Sequence, residues 1–344
     1  MLAALPALAL ADARALPLRP LQFPRDHGAH PDLRTEWWYI TGAGTAGGRE
    51  LGFQLTFFRS RVDAAQDLAS RFAARQLVFA HAAVTDVQGR RLRHDQRIAR
   101  AGFGVAEAAT DDTRVVLRDW RLAREGDGRY AATLLGREFG LDLRFAPTQP
   151  VLVQGRQGLS RKGPDPQQAS YYYSVPQLAA AGTIVLEGRR LPFEGRAWLD
   201  HEWSEALLHP EAVGWDWIGM NLDDGSALTA FQLRRPDGSA LWDGGSFRRP
   251  GGTVEVAGPG ETAFTAQRRW TSPLSGATYP VAWTVRTPAG LYTVRALVDD
   301  QELDSRASTG GIYWEGLSEL LDGSGRRVGR GYLEMTGYAQ RLRL

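Results

Sequence analysis

Ile218-Gly219-Met220-Asn221-Leu222 meets Asp223-Asp224-Gly225, and Ala227-Leu228-Thr229-Ala230-Phe231-Gln232-Leu233 meets Pro236-Asp237-Gly238. Two short, largely apolar runs, each closed by an Asp-Gly turn, read as a β-hairpin series, with Ser226 belonging to the turn. The rhythm extends upstream. Trp37 to Thr41, Leu51 to Phe58, Leu77 to Val84, Thr113 to Leu117, Leu141 to Phe145 and Thr183 to Leu186 are separate short runs. Between them lie Gly47-Gly48, Gln88-Gly89, Gly126-Asp127-Gly128 and Glu187-Gly188. Strands recurring about every 10 residues make this an all-β sandwich or barrel. Helical periodicity is weak, with short helices expected at 62–76 and 314–321.

The chain has 344 residues, which makes two domains the natural expectation. The first strand series ends near 195–210, after an irregular approach through Pro164, Pro166 and Ser170-Tyr171-Tyr172-Tyr173. The division expected is 20–199 and 200–344, each the size of a closed antiparallel β-barrel with a ligand cavity. Glu36-Trp37-Trp38 opens the first series, and Gly214-Trp215-Asp216-Trp217 opens the second. An acid beside tryptophans in both places suggests a duplicated module. Residues 1–19 contain an apolar run, Leu2 to Ala11, ending in Ala9-Leu10-Ala11. That is a small-residue cleavage pattern without a basic leader. It reads as a signal-peptide remnant, implying a periplasmic or secreted protein, or else as an apolar arm. The run is too short to span a bilayer.

Residues 200–217, Asp-His-Glu-Trp-Ser-Glu-Ala-Leu-Leu-His-Pro-Glu-Ala-Val-Gly-Trp-Asp-Trp, set carboxylates and histidines among tryptophans. Carboxylates pressed against aromatic faces can have raised pKa values and act as acids. The absence of cysteine excludes thiolate metal sites, catalytic cysteine and disulfides. The 41 basic and 39 acidic residues are evenly spread, so a nucleic-acid partner is not indicated. No second histidine completes an H-E-x-x-H after His201-Glu202, and no G-x-S-x-G occurs. Asp26, His27 and His30 cluster beside Pro31, before the first strand, where a loop is expected. No metal is called for.

Three segments together resemble the carotenoid 1,2-hydratase (hydroxyneurosporene synthase) and AttH-like family, many of whose members are labelled predicted secreted hydrolases. They are Thr35-Glu36-Trp37-Trp38-Tyr39-Ile40-Thr41-Gly42, Tyr172-Tyr173-Ser174-Val175-Pro176, and Asp200-His201-Glu202-Trp203 with Gly214-Trp215-Asp216-Trp217. The resemblance covers roughly residues 20 to 340. It implies two lipocalin-like β-barrels packed side by side and a large pocket for a hydrophobic or polyene ligand. For the hydratases it implies cofactor-free addition of water to a terminal carbon–carbon double bond. The family's His-x-Trp pair is matched by His201 and Trp203. No matching Tyr-x-Asp follows, and the nearest acid is Asp216.

Hydrating an alkene requires a proton donated to carbon, then attack by water on the resulting cation. Asp216 and Asp200 are the candidate acids, and His201 the candidate to orient or deprotonate the water. Trp203, Trp215, Trp217 and Tyr173 are candidates to face the cation. Glu36 and Trp38 could line the first barrel's pocket, and His81 joins them if it faces inward with Phe79. Strand geometry sets His201 and Trp203 on one face, and Asp200 and Glu202 on the other. Trp215 and Trp217 likewise share a face opposite Asp216, which could instead pair with an arginine. The rival to an enzyme is a non-enzymatic lipid or terpenoid carrier serving an exporter or a membrane surface. Both need apolar walls; only the enzyme needs a titratable group facing the cavity.

Overall fold

A computed structural model describes residues 15–206 and 208–342. The run Leu2 to Ala11, expected as a signal remnant or apolar arm, lies outside the described residues. Thirteen strands make the first sheet: β1 (Thr35–Ala46), β2 (Arg49–Arg61), β3 (Gln76–Asp86), β4 (Arg91–Arg100), β5 (Ala106–Ala108), β6 (Arg114–Leu117), β7 (Trp120–Arg124), β8 (Tyr130–Leu135), β9 (Phe139–Ala146), β10 (Leu152–Val153), β11 (Leu159–Arg161), β12 (Ala169–Leu186) and β13 (Arg189–Ala206). Ten make the second: β14 (Gly214–Leu222), β15 (Ala227–Arg234), β16 (Ala240–Arg248), β17 (Glu255–Ala257), β18 (Ala263–Thr271), β19 (Thr278–Thr287), β20 (Gly290–Ala296), β21 (Glu302–Ser305), β22 (Gly311–Leu321) and β23 (Arg327–Met335).

All pairings are antiparallel. The first sheet runs β4-β3-β2-β1-β13-β12-β9-β8-β7-β6-β5, and its two ends meet where β3 and β4 approach β5 and β6, nearly closing a barrel. The second runs β17-β16-β15-β14-β23-β22-β20-β19-β18. The hairpin at 218–233 is β14–β15, turned through Gly225 at φ +86° with the Asp224 carboxylate accepting from the Ser226 N–H at 2.8 Å. The long β12–β13 hairpin turns on Glu187 and Gly188, both at positive φ, as a two-residue hairpin loop requires.

β13 stays on the first sheet through Ala206, so the expected break at 199/200 falls inside a strand; the second sheet begins at Gly214. Residues 314–321, expected to be helical, lie within strand β22, and 62–76 contains only a 3₁₀ turn at Asp63–Ala65. Trp38, Phe53, Phe57, Trp120 and Trp203 fill the first barrel's interior. Tyr279, Trp283 and Trp314 fill the second sheet's. A third cluster, including Trp198, Trp217, Phe231, Leu317 and Tyr332, lies between the sheets and joins them.

Candidate active site

Strand alternation divides residues 200–203 between two environments. On the outer face of the first sheet, Asp200 pairs with Tyr39 of β1 and Ser174 of β12, and Glu202 with Trp37 and Tyr172. On the facing side of the second sheet, Phe231, Trp217, Glu334 and Glu315 form a row across β15, β14, β23 and β22. Between the two walls is a cavity of about 1270 Å³. Asp200, Glu202, Glu315 and Glu334 line it together with Trp37, Trp215 and Trp217.

Asp200 is 3% exposed and, among the described residues, has no arginine or lysine partner. Its Oδ1 accepts from Ser174 at 2.5 Å and from Trp198 Nε1 at 2.7 Å, and its Oδ2 from the Tyr172 hydroxyl at 2.8 Å. Burial raises the carboxyl, and these three donors only partly offset it, leaving the pKa at about 7. Glu334 is also pushed up by burial, to about 7, and Glu315 opposite it is raised well above the ordinary carboxylate range. Two facing buried carboxylates cannot both ionise freely, so the pair retains a proton near neutral pH. Glu202 has a cationic neighbour, with Lys162 Nζ 3.1 Å from it and 4.2 Å from the Phe231 ring centroid. His81 also reaches the cavity. Its ring nitrogens bond the Tyr313 and Ser308 hydroxyls, each at 2.9 Å, and burial lowers it to about 3, so it is neutral.

His201, Trp203, Glu36, Trp38 and Tyr173 point the other way, into the first barrel. They do not line the cavity between the sheets; Glu36 and Trp38, expected to line a pocket of the first barrel, are fully buried in its packed interior. There Glu36 is fully buried and accepts from His30 Nδ1 at 2.7 Å, His201 Nε2 at 2.9 Å and Arg59 Nε at 2.8 Å. Burial works to raise Glu36, but hydrogen bonds from His201 and His30 outweigh it and hold the carboxyl far below its usual range. His30 also bonds Asp26 through Nε2 at 3.1 Å. With a carboxylate on each ring nitrogen, both must carry protons; burial disfavours this imidazolium, but the two bonds prevail and its pKa is raised. Trp203 stacks on it at 4.0 Å, presenting a ring face to the cation.

Burial lowers the His201 pKa, keeping it neutral. Because Nε2 donates to Glu36, Nδ1 accepts from the Tyr173 hydroxyl at 3.2 Å. Tyr173 then accepts from His27 Nδ1 at 2.7 Å. The ligand atoms of His30, Glu36 and His201 lie within 4.8 Å of one another, close enough to hold a cation. In this arrangement their close separations are hydrogen bonds, and Arg59 and the His30 imidazolium already match the Glu36 charge. The network therefore fits a structural role better than a metal centre.

Asp216 faces the interior of the second sheet, away from the cavity that Trp215 and Trp217 line. Arg234 Nε lies 2.8 Å from its Oδ2, Gln232 donates to the same oxygen at 2.8 Å, and Tyr338 to Oδ1 at 2.9 Å. Of the candidate acids, only Asp200 is on the cavity wall. Glu315, Glu334, Tyr172 and Lys162 were not anticipated. The Glu-Trp echo could have pointed to Glu315, which follows Trp314, but only the β22–β23 register sets it beside Glu334.

Two antiparallel sheets of lipocalin-like character, enclosing a carboxylate-lined cavity between them, define the class of protein. The chain belongs to the AttH-like family, whose pattern it matches over residues 14–338. A putative AttH from Nitrosomonas europaea is 47% identical, with a TM-score of 0.88 over 95% of this chain and 99% of that one. Kievitone hydratase from Nectria haematococca shares the fold at 14% identity, with a TM-score of 0.72 over 93% and 94% of the two chains. CghA, in a structure with Sch210972, is similar at 12% identity, with a TM-score of 0.55 over 88% of each chain. No curated protein matches significantly.

Proposed function

We propose that the cavity between the sheets binds an apolar unsaturated molecule, of polyene or terpenoid type, and adds water across one of its double bonds. The observation that carries this reading is Asp200, a buried carboxyl on the cavity wall whose pKa of about 7 keeps a proton available at neutral pH. The fold shared with a protein named as a hydratase supports the reaction class. Asp200 gives its proton to one alkene carbon, and the π pair forms the C–H bond. The cation left on the other carbon sits against Trp215 and Trp217, whose ring faces stabilise positive charge. Water attacks that carbon and releases a proton to the Glu315–Glu334 pair, and proton exchange restores Asp200. The net change is one water added, with no redox step.

The Tyr39 hydroxyl and Glu315 Oε1, both buried at the cavity, make no hydrogen bond within the described residues and are placed to hold the attacking water. His201 enters as a positioning residue, anchoring β13 through Glu36 and Tyr173. The test is incubation with an acyclic carotenoid in oxygen-18-labelled water, followed by mass spectrometry. The wild type is expected to form a labelled tertiary alcohol. Asp200→Asn should abolish it while binding the polyene with unchanged quenching of tryptophan fluorescence. Label incorporation undiminished in that variant would overturn the assignment. Polyene binding without turnover by the wild type would leave a carrier.

A further inference from the structure

Outside the cavity, large apolar side chains gather at one place on the surface. Leu68, Phe72 and Phe103 are 51%, 56% and 55% exposed. The first two lie between β2 and β3, and Phe103 lies between β4 and β5. Phe72 and Phe103 stack with centroids 5.4 Å apart and planes 3° from parallel. Phe103 is held outward by an unfavourable backbone. Its φ is +58°, between Gly102 at +100° and Gly104 at +69°. A bulky L-residue adopts that region only where its surroundings impose it. The turn closed by the Val105 N–H on the Gly102 carbonyl at 3.1 Å imposes positive φ at Phe103 and Gly104 and leaves the Phe103 side chain exposed at its tip.

Arginines rim the patch. Arg71 and Arg100 lie 5.1 and 5.4 Å from the Phe72 ring centroid, and Arg100 lies 4.5 Å from that of Phe103. Arg75 donates to the Leu68 carbonyl at 2.6 Å. Asp67 is the one acid in the segment 66–75. The patch also connects to the cavity. Phe58 stacks on Phe79 at 4.7 Å, Phe79 pairs with Ile98 across β3 and β4, and all three line the cavity. Ile98 is 37% exposed and lies two residues before Arg100. An apolar stripe thus runs from the cavity to the arginine-rimmed aromatics.

We infer that Leu68, Phe72 and Phe103 dock on an anionic lipid bilayer, with the arginines on its phosphates and the Ile98 edge of the cavity turned toward the acyl chains. Aromatic wedges within a basic rim match an interface with apolar depth and negative charge. A second copy of this chain fits less well, because a two-fold contact here would set the arginines against each other. Docking stands independently of catalysis; passage of a ligand from bilayer to cavity rests on the proposed function.

The test is co-sedimentation of the full chain with phosphatidylcholine vesicles, with and without phosphatidylglycerol. The wild type is expected to bind the anionic vesicles preferentially and to release with salt. Arg71→Gln should weaken binding about fivefold, and Phe72→Ser with Phe103→Ser by about tenfold or more. These positions are exposed, so thermal melts should match the wild type; if the double variant fails to fold, Arg71→Gln and the salt titration still decide. Transfer of parinaric acid, a fluorescent tetraene, from anionic vesicles should slow in the double variant while its affinity from buffer is unchanged. Absence of wild-type vesicle binding, or equal binding by the double variant, would overturn docking. So would a wild-type dimer in gel filtration that this variant converts to monomer. Vesicle binding without alkene hydration would remove the proposed reaction and leave docking intact.

Discussion

Asp200 and Glu36 lie on opposite faces of the β1–β13 pair, and their titrations act on the fold in opposite ways. Asp200 and Glu334 sit at about 7, so between about pH 4 and 7 the folded chain holds protons that the unfolded chain releases. These two carboxyls therefore reduce stability as pH rises through that window. Glu36 and Asp26 are held far below their ordinary values of 4.5 and 3.8, so their contribution is present above those values and is lost as pH falls below them. Hydration should depend on the protonated form of Asp200. Its kcat is expected to fall tenfold per pH unit well above pH 7, measured with the labelled-water assay. A rate constant across pH 6 to 9 would remove Asp200 as the acid. Glu36→Gln takes the anion from between Arg59, His30 and His201. A loss of about 3–5 kcal/mol is expected from urea denaturation at pH 7, as when one partner of a buried ion pair is removed. A loss below about 1 kcal/mol would mean the network is not structural.

At the scale of elements, β1 and β13 form the cavity wall on one face and hold the buried network on the other, so their register governs both. Gly44 and Gly195 face each other across this pair. A Cβ on Gly195 would strike the Ala43 carbonyl and the Gly44 Cα, both backbone. Gly195→Ala should cost about 2 to 3 kcal/mol by overpacking, whereas Gly126→Ala, with open space around it, should be near neutral. Parallel urea melts of the two variants check this, and equal midpoints would contradict it. The register also explains what sequence could reveal. Alternation sorted His201 and Trp203 from Asp200 and Glu202, and Trp215 and Trp217 from Asp216, without saying which face met the cavity. That depended on the second sheet covering the outer face of the first. In β22, residues 314–321 are buried on both faces, which erased the period of two and left Trp314, Leu317 and Leu321 at helix-like spacing. Asp26, His27 and His30 read as a loop because their partners, Glu36, Tyr173 and His201, come together only in the closed barrel.

For the whole molecule, the position of the cavity predicts how ligand binding spreads. The first barrel's interior is packed with Trp38, Phe57, Trp120 and Trp203, while the cavity is walled by outward faces of β1, β2, β3 and β13 and by β14, β15, β22 and β23. Polar bonds also tie the sheets together. Gln177 of β12 donates its backbone N–H to Asn221 Oδ1 at 2.8 Å and its Nε2 to the Leu222 and Ser226 carbonyls at 2.9 Å. Thr85 donates to Gln301 at 2.7 Å. A ligand held between the walls stabilises both, because separating either sheet destroys its site. At a hundredfold excess over Kd, a polyene should add about 2.7 kcal/mol to unfolding. Hydrogen exchange should then slow in β1 and β13 and equally in β14 and β22. Trp217→Ala, which removes a cavity wall, should reduce this gain without removing the barrel interior of the first sheet. Protection confined to the first sheet's strands would place the ligand inside that barrel, as in a single lipocalin, and would return His201, Trp203 and Glu36 to the binding site in place of Asp200 and the Glu315–Glu334 pair.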